Sequence, residues 1–121
     1  MKAMNVLKVI VVLMGILGAT AALHAEPVQG SILHRDVVLA RDSDSYTITL
    51  RAGETTRISV SGDGDTDLDL YVYDENGNLI ARDTDYTDDC VVSVRPRWTG
   101  VFHVKIVNRG SVYNRYAMLI V

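Results

Sequence analysis

The apolar positions of this chain recur with a period of two. From Thr66 to Tyr73, Leu68, Leu70 and Val72 alternate with Asp67, Asp69, Tyr71 and Tyr73, the spacing of a strand with one buried face. Glu75-Asn76-Gly77-Asn78 follows. Asn-Gly among polar residues predicts a hairpin closed by a type I′ turn, with both central residues at positive φ. Leu79-Ile80-Ala81 is the returning partner. The same alternation places Tyr46, Ile48 and Leu50 on one face of a strand, and Thr56, Ile58 and Val60 on one face of another. Ala52-Gly53-Glu54 lies between these two, which predicts a second antiparallel hairpin.

Further along, Cys90, Val92 and Val94 alternate with Val91, Ser93 and Arg95. Pro96 to Gly100 makes a corner, because proline lacks a ladder donor and glycine permits unusual φ. Phe102, Val104 and Ile106 mark the longest strand, Asn108 to Ser111 turn it, and Tyr116 to Val121 form the last. A first strand over Ile32 to Leu39 is weaker, since Val37, Val38 and Leu39 run together. Short strands at intervals of roughly 8–12 residues, without helical periodicity, predict an all-β sandwich. Its inward set is Ile48, Leu50, Ile58, Val60, Leu68, Leu70, Val72, Val92, Val94, Phe102, Val104, Ile106, Met118 and Ile120, enough for one core and one domain.

The first 25 residues stand outside that pattern. Met1-Lys2 and Lys8 are basic, Val9 to Leu17 is uninterruptedly apolar, and small residues follow from Gly18 to Ala22. This is the layout of a secretory signal peptide, cut after Ala25, Ala22 or Ala21. The competing expectation is an uncleaved membrane anchor, but the uncharged run from Val9 to Leu23 is shorter than the roughly 18–20 residues of a spanning helix. Residues 26–41 then form a lead-in and the weak first strand, and residues 42–121 the domain. The expected location is periplasmic or extracellular.

Removing Lys2 and Lys8 leaves 10 bases against 15 acids, a net charge of −5. That disfavours nucleic-acid or anionic-membrane binding, which calls for a basic excess; contact with a membrane is expected only through an uncleaved leader. The charge is lopsided: residues 63–89 hold ten acids and one base, and residues 90–121 hold Arg95, Arg97, Lys105, Arg109 and Arg115 with no acid. Cys90 is the single cysteine, so no internal disulfide forms; its phase directs it inward as a small apolar group, the alternative being a reactive or intermolecular thiol.

The run GDTDLDLYVYDENGNLIARD, followed by a strand, PRWTGVFHVKIVN and a final short strand, resembles the bacterial pre-peptidase C-terminal domain. The upstream SYTITLRAGETTRISVSG fits that family's opening segment, so the likeness extends from about Asp42 to Val121. It implies a jelly-roll-like antiparallel β-sandwich of about eight strands, similar to the collagen-binding modules of secreted bacterial collagenases. It also implies an accessory module: members usually adjoin a secreted peptidase or another exported enzyme, whereas here the domain directly follows a leader.

Enzymatic chemistry finds little support. His34 and His103 are the histidines beyond the leader, and His103 alternates outward as an ordinary surface residue. No nucleophile elbow, zinc-helix, phosphate-loop or paired-cysteine spacing occurs. The sharper expectation is calcium. Asp63, Asp65, Asp67 and Asp69 are spaced two apart, and Asp83, Asp85, Asp88 and Asp89 follow the hairpin. A hard divalent cation takes six to eight oxygens, largely from loop carboxylates and carbonyls, and the resemblance to calcium-binding collagen modules points the same way. Against it, aspartate is an ordinary turn residue. Asp69, within a strand, needs either a backbone partner or an ion. Tyr71, Tyr73, Tyr86, Trp98 and Tyr113 are the candidate binding residues for an extracellular or periplasmic protein or polysaccharide, or alternatively cover sheet faces. The expected role is an exported non-catalytic binding or accessory module; the alternative is a small structural, envelope-associated protein tethered by its N-terminal segment.

Overall fold

The computed structural model describes residues 7–9 and 30–121. Among these lie β1 (Leu7–Val9), β2 (Ile32–Val38), β3 (Ser43–Leu50), β4 (Thr56–Ser61), β5 (Leu68–Tyr73), β6 (Leu79–Asp83), β7 (Asp89–Val94), β8 (Gly100–Asn108) and β9 (Asn114–Ile120). Apart from β1, the expected leader and the residues up to 29 lie outside the described residues. Strands β2 to β9 form an antiparallel sandwich: one sheet has the order β3-β8-β5-β6 and the other β2-β9-β4-β7. The short β1 runs parallel beside β3, with Leu7 opposite Ser45 and Val9 opposite Thr47. The weakly patterned first strand is well formed, pairing Ile32 with Ile120 through Val38 with Asn114.

Between consecutive strands from β2 onward, only the β5–β6 connection stays within one sheet. The hairpin expected between β3 and β4 is therefore an arch. Ile48 pairs with Phe102 in one sheet, and Ile58 pairs with Val92 and Ile120 in the other. Alternation reports which face of a strand is buried, but both sheets bury the same kind of face. The arch is stitched to the corner after β7: Gly53 N–H donates to the Pro96 carbonyl at 2.8 Å and Ala52 N–H to Thr99 Oγ1 at 2.9 Å.

The β5–β6 hairpin is present, but its turn is not type I′. Gly77 has φ +85° and Asn76 is not at positive φ. Gly77 N–H closes on the Asp74 carbonyl at 3.1 Å, and the Asp74 carboxylate accepts the Asn76 and Asn78 N–H groups at 2.9 Å each. One left-handed glycine after an ordinary turn needs one extra residue, which a register shift between Val72 and Tyr73 absorbs.

Every residue of the expected inward set is buried, joined by Val38, Tyr46, Cys90 and Tyr116. The inward rows end on polar side chains. Asp44 precedes Tyr46, Ile48 and Leu50 in phase; Asn108 follows Phe102, Val104 and Ile106; Asn114 precedes Tyr116, Met118 and Ile120. All three are buried. Asn108 Nδ2 donates to the Val112 carbonyl at 2.8 Å, and its Oδ1 accepts Gly110 N–H at 2.9 Å. Between the sheets, the Tyr46 and Tyr116 hydroxyls are hydrogen-bonded to each other, and Tyr116 donates to Asp44 Oδ2 at 2.6 Å. Burial first, and the Asp44 carboxylate second, push the Tyr116 hydroxyl far above its ordinary pKa.

Cys90 is buried as expected, with Sγ 3.1 Å from the Leu68 carbonyl. Burial, reinforced by Asp83, pushes its thiol up to about 12. Native protein at pH 8 should therefore react with a thiol reagent only after denaturant is added; rapid reaction without denaturant would contradict this burial. Tyr116→Phe removes a buried donor from Asp44 and should cost about 1–3 kcal/mol in urea unfolding. Phe102→Ala should cost about 3–5 kcal/mol through lost transfer and cavity terms.

Candidate functional site

Four loops meet at one end of the sandwich: those joining β2 to β3, β4 to β5, β6 to β7 and β8 to β9. Both acidic segments are among them, on either side of the β5–β6 hairpin, and so they converge. Gly62 N–H donates to the Asp88 carbonyl at 3.0 Å and Leu68 N–H to the Thr87 carbonyl at 3.2 Å. Gly62 has no room for a side chain. A Cβ there would overlap the Asp88 carboxylate and lie 2.7 Å from Asn114 Oδ1.

Four of these aspartates, Asp63, Asp83, Asp85 and Asp88, accept backbone N–H groups. Asp63 accepts Asp65 N–H at 3.0 Å and Arg115 N–H at 2.9 Å. Asp88 Oδ2 takes Gly64 N–H at 2.6 Å and Asn114 Nδ2 at 3.1 Å. Asp83 accepts Val91 N–H and Asp85 accepts Thr87 N–H, each at 2.9 Å, while Asp89 accepts the Ser61 hydroxyl at 3.1 Å. Asp65 is exposed. The Asp63–Asp65 and Asp85–Thr87 bonds are the local turn caps that aspartate makes in loops; the others tie separate loops and strands to one another. Among the described residues no group of three or more His, Cys, Asp or Glu is gathered as a metal ligand set.

Asp67 and Asp69 differ. Asp69 is 5 % exposed, and its Oδ2 accepts Arg109 Nε at 2.8 Å. Arg109 Nη2 also donates to the Tyr71 hydroxyl at 3.0 Å, while Arg109 N–H holds the Asp67 carbonyl at 2.9 Å. Oδ1 of Asp67 and Oδ1 of Asp69 are buried without a hydrogen-bond partner among the described residues. Desolvation first, then the neighbouring charges of Asp69 and Asp85, raise the Asp67 pKa against the opposing pull of Arg109. The strand aspartate thus found an arginine from the β8–β9 loop.

The five candidate aromatic side chains are distributed over the molecule. Tyr71 and Tyr73 are half-buried on the outer face of β5, stacked with ring centroids 6.3 Å apart and planes at 21°. Tyr71 lies in register with Lys105 on one side and Arg82 on the other, and Tyr73 with His103. Tyr86, 94 % exposed, and Tyr113, whose ring lies 5.2 Å from the Arg115 guanidinium carbon, occupy the acidic end. Trp98 sits at the opposite end, stacked on Phe102 at 6.1 Å, with Nε1 donating to Glu75 Oε1 at 3.1 Å. Residue-by-residue reasoning missed Arg109, Asn108 and Asn114 as organisers of this end. The two asparagines were signalled by polar residues in inward phase; Arg109 carried no local signal.

The sequence matches the bacterial pre-peptidase C-terminal domain over residues 42–106. The chain belongs to that family. Among solved structures, the pre-peptidase C-terminal domain of a Bacillus anthracis collagenase is similar at 12 % identity and TM-score 0.64, covering 99 % of each chain. A periplasmic inhibitor of g-type lysozyme from Aeromonas hydrophila is similar at 15 % identity and TM-score 0.53, over 78 % of this chain and 91 % of that one. No curated protein matches by sequence. Identities this low establish a shared fold, and members of this family are generally accessory domains without catalysis of their own.

Gly62→Ala should cost about 1–3 kcal/mol in denaturant unfolding, because the overlapped carboxylate is already held by two donors. Acid should also weaken the fold. Hydrogen bonds from Arg115 N–H to Asp63, and from Asn78 to Asp74, hold both carboxyls below their ordinary 3.8. Their stabilisation is complete above about pH 4 and is lost as pH falls through the lowered values. Asp67 acts in the opposite direction, since its raised value makes rising pH destabilising between 3.8 and that value. Melting temperature followed from neutral to acid pH should fall less steeply in Asp74→Asn than in the parent; identical slopes would contradict the assignment.

Proposed function

We propose that the protein is an exported, non-catalytic binding or accessory module, which meets an extracellular or periplasmic protein or polysaccharide through the outer face of β5 and its neighbours. The observation that carries this reading is the Tyr71–Tyr73 stack. On the outer sheet face Tyr71 is held by the Asp69–Arg109–Tyr71 bonds and Tyr73 stacks on it, with Lys105, Arg82 and His103 in the adjoining strand positions. Ordered aromatics give contact area at low entropic cost. The family assignment and both structural likenesses, to a collagenase domain and to a periplasmic inhibitor, fit placement outside the cytoplasm. The test is sedimentation with insoluble collagen and insoluble polysaccharides, together with titration against a g-type lysozyme. Tyr71→Ala and Tyr73→Ala should each weaken the productive interaction by about tenfold, in line with aromatic hot spots. Binding that survives both changes would move the contact surface elsewhere.

Calcium is a second reading, favoured by the two unpartnered oxygens. Asp67 Oδ1 and Asp69 Oδ1 are hard, buried acceptors, and a cation beside them would relieve the crowding that raises the Asp67 pKa. Both Asp63 oxygens already accept backbone N–H groups, so the fit centres on Asp67 and Asp69 with loop carbonyls. Millimolar calcium should raise the melting temperature of the parent and leave that of Asp67→Asn unchanged. No rise in the parent would eliminate the site.

A further inference from the structure

At the end opposite the acidic loops, the sandwich opens between the edge strands β6 and β7. A cavity of about 360 Å³ lies there, with Ile80, Trp98 and Phe102 as its apolar wall and Ser93, Arg95 and Arg97 on its β7 side. Trp98 is 41 % exposed yet fixed in place by its stack on Phe102 and its bond to Glu75. The charge at this end is unbalanced. Glu75 is engaged by the indole N–H and Glu54 by Arg51 at 3.1 Å, whereas Arg95 and Arg97 are exposed and form no ion pair among the described residues.

The backbone of β7 contributes to the same cavity. Pro96 turns its carbonyl toward the β3–β4 loop, to Gly53, and Val91 turns its N–H the other way, to Asp83 at 2.9 Å. In an antiparallel ladder the N–H and C=O of one residue point to the same side, and the side alternates along the chain. Val92, Val94 and Pro96 therefore direct their peptide groups toward β4 and its flank; Val91, Ser93 and Arg95 direct theirs to the free edge. Asp83 covers that edge at Val91. From Ser93 to Arg95 no strand among the described residues pairs with it, and this is the stretch that lines the cavity.

We propose that this groove accepts an extended, acidic peptide segment of a partner protein, added as a strand along Ser93–Arg95. Its apolar side chain would fill the cavity against Trp98 and Ile80, and its carboxylates would meet Arg95 and Arg97. A peptide is favoured over an acidic saccharide because the groove wall carries strand-edge donors and acceptors at two-residue spacing, which a peptide backbone matches bond for bond. The two guanidiniums set the sign of the partner's charge. This site is separate from the Tyr71–Tyr73 face and is tested independently of it.

Trp98 is the single tryptophan of the chain, so its emission reports on this groove. The full chain is titrated with a short peptide alternating valine and glutamate, with the lysine counterpart, and with an oligogalacturonate of comparable charge. The glutamate peptide alone should shift the emission saturably, and the affinity should fall about tenfold in Arg95→Gln and in Arg97→Gln and remain unchanged in Tyr71→Ala. Hydrogen exchange of the Ser93 and Arg95 amides should slow on binding, which contact through side chains alone does not produce. Equal binding of the lysine peptide, binding of the oligogalacturonate in its place, unprotected amides, or no binding of any probe would each overturn the proposal.

Discussion

The two sheets share one layer of apolar side chains, and the rest of the molecule is arranged around keeping that layer continuous and dry. Tyr46, Ile48 and Leu50 from β3, with Phe102, Val104 and Ile106 from β8, face Ile58 and Val60 from β4 and Met118 and Ile120 from β9. Each such fully buried residue contributes roughly 2 kcal/mol, whereas the individual hydrogen bonds at the ends contribute nearer 1 kcal/mol net. Packing therefore dominates cohesion, and the polar ends determine where packing stops. Asp44, Asn108 and Asn114 complete inward rows at the loop-rich end, and each satisfies backbone or hydroxyl groups that a further apolar residue would leave bare.

Because nearly every connection crosses from one sheet to the other, loops collect at the two ends of the sandwich. The two ends differ in chemistry for reasons that begin in composition. At one, carboxylates outnumber cations, and several aspartates tie neighbouring loops and strands together. At the other, Trp98 and Pro96 stiffen a corner flanked by two arginines that form no ion pair among the described residues. The outer tyrosine stack on β5 is a third, separate surface.

Much of the fold was legible in the chain. Strand positions, the buried phase of each strand, the burial of Cys90 and the hairpin between β5 and β6 all follow from local alternation and turn residues. So does the family, because Asp-Leu-Asp-Leu-Tyr, the Asn-Gly turn and the Thr-Gly corner lie in the expected order. The turn type did not follow. Asn76-Gly77 is compatible with a two-residue turn, but Asp74 accepts two amides across the loop and stabilises a longer one.

What the order of residues determined unaided is the alternation that fixes each strand's buried face and the positions, though not the types, of the turns between strands. Only the tertiary structure decided which sheet each strand joins, which sent β3 and β4 apart. It also brought Arg109 to Asp69 from 40 positions away, engaged Asp63, Asp83, Asp85 and Asp88 with backbone amides, and, among the described residues, left the β7 edge open beside Trp98. These depend on contacts between segments distant in sequence, where a side chain's identity says what it can bind but not what folding brings within reach.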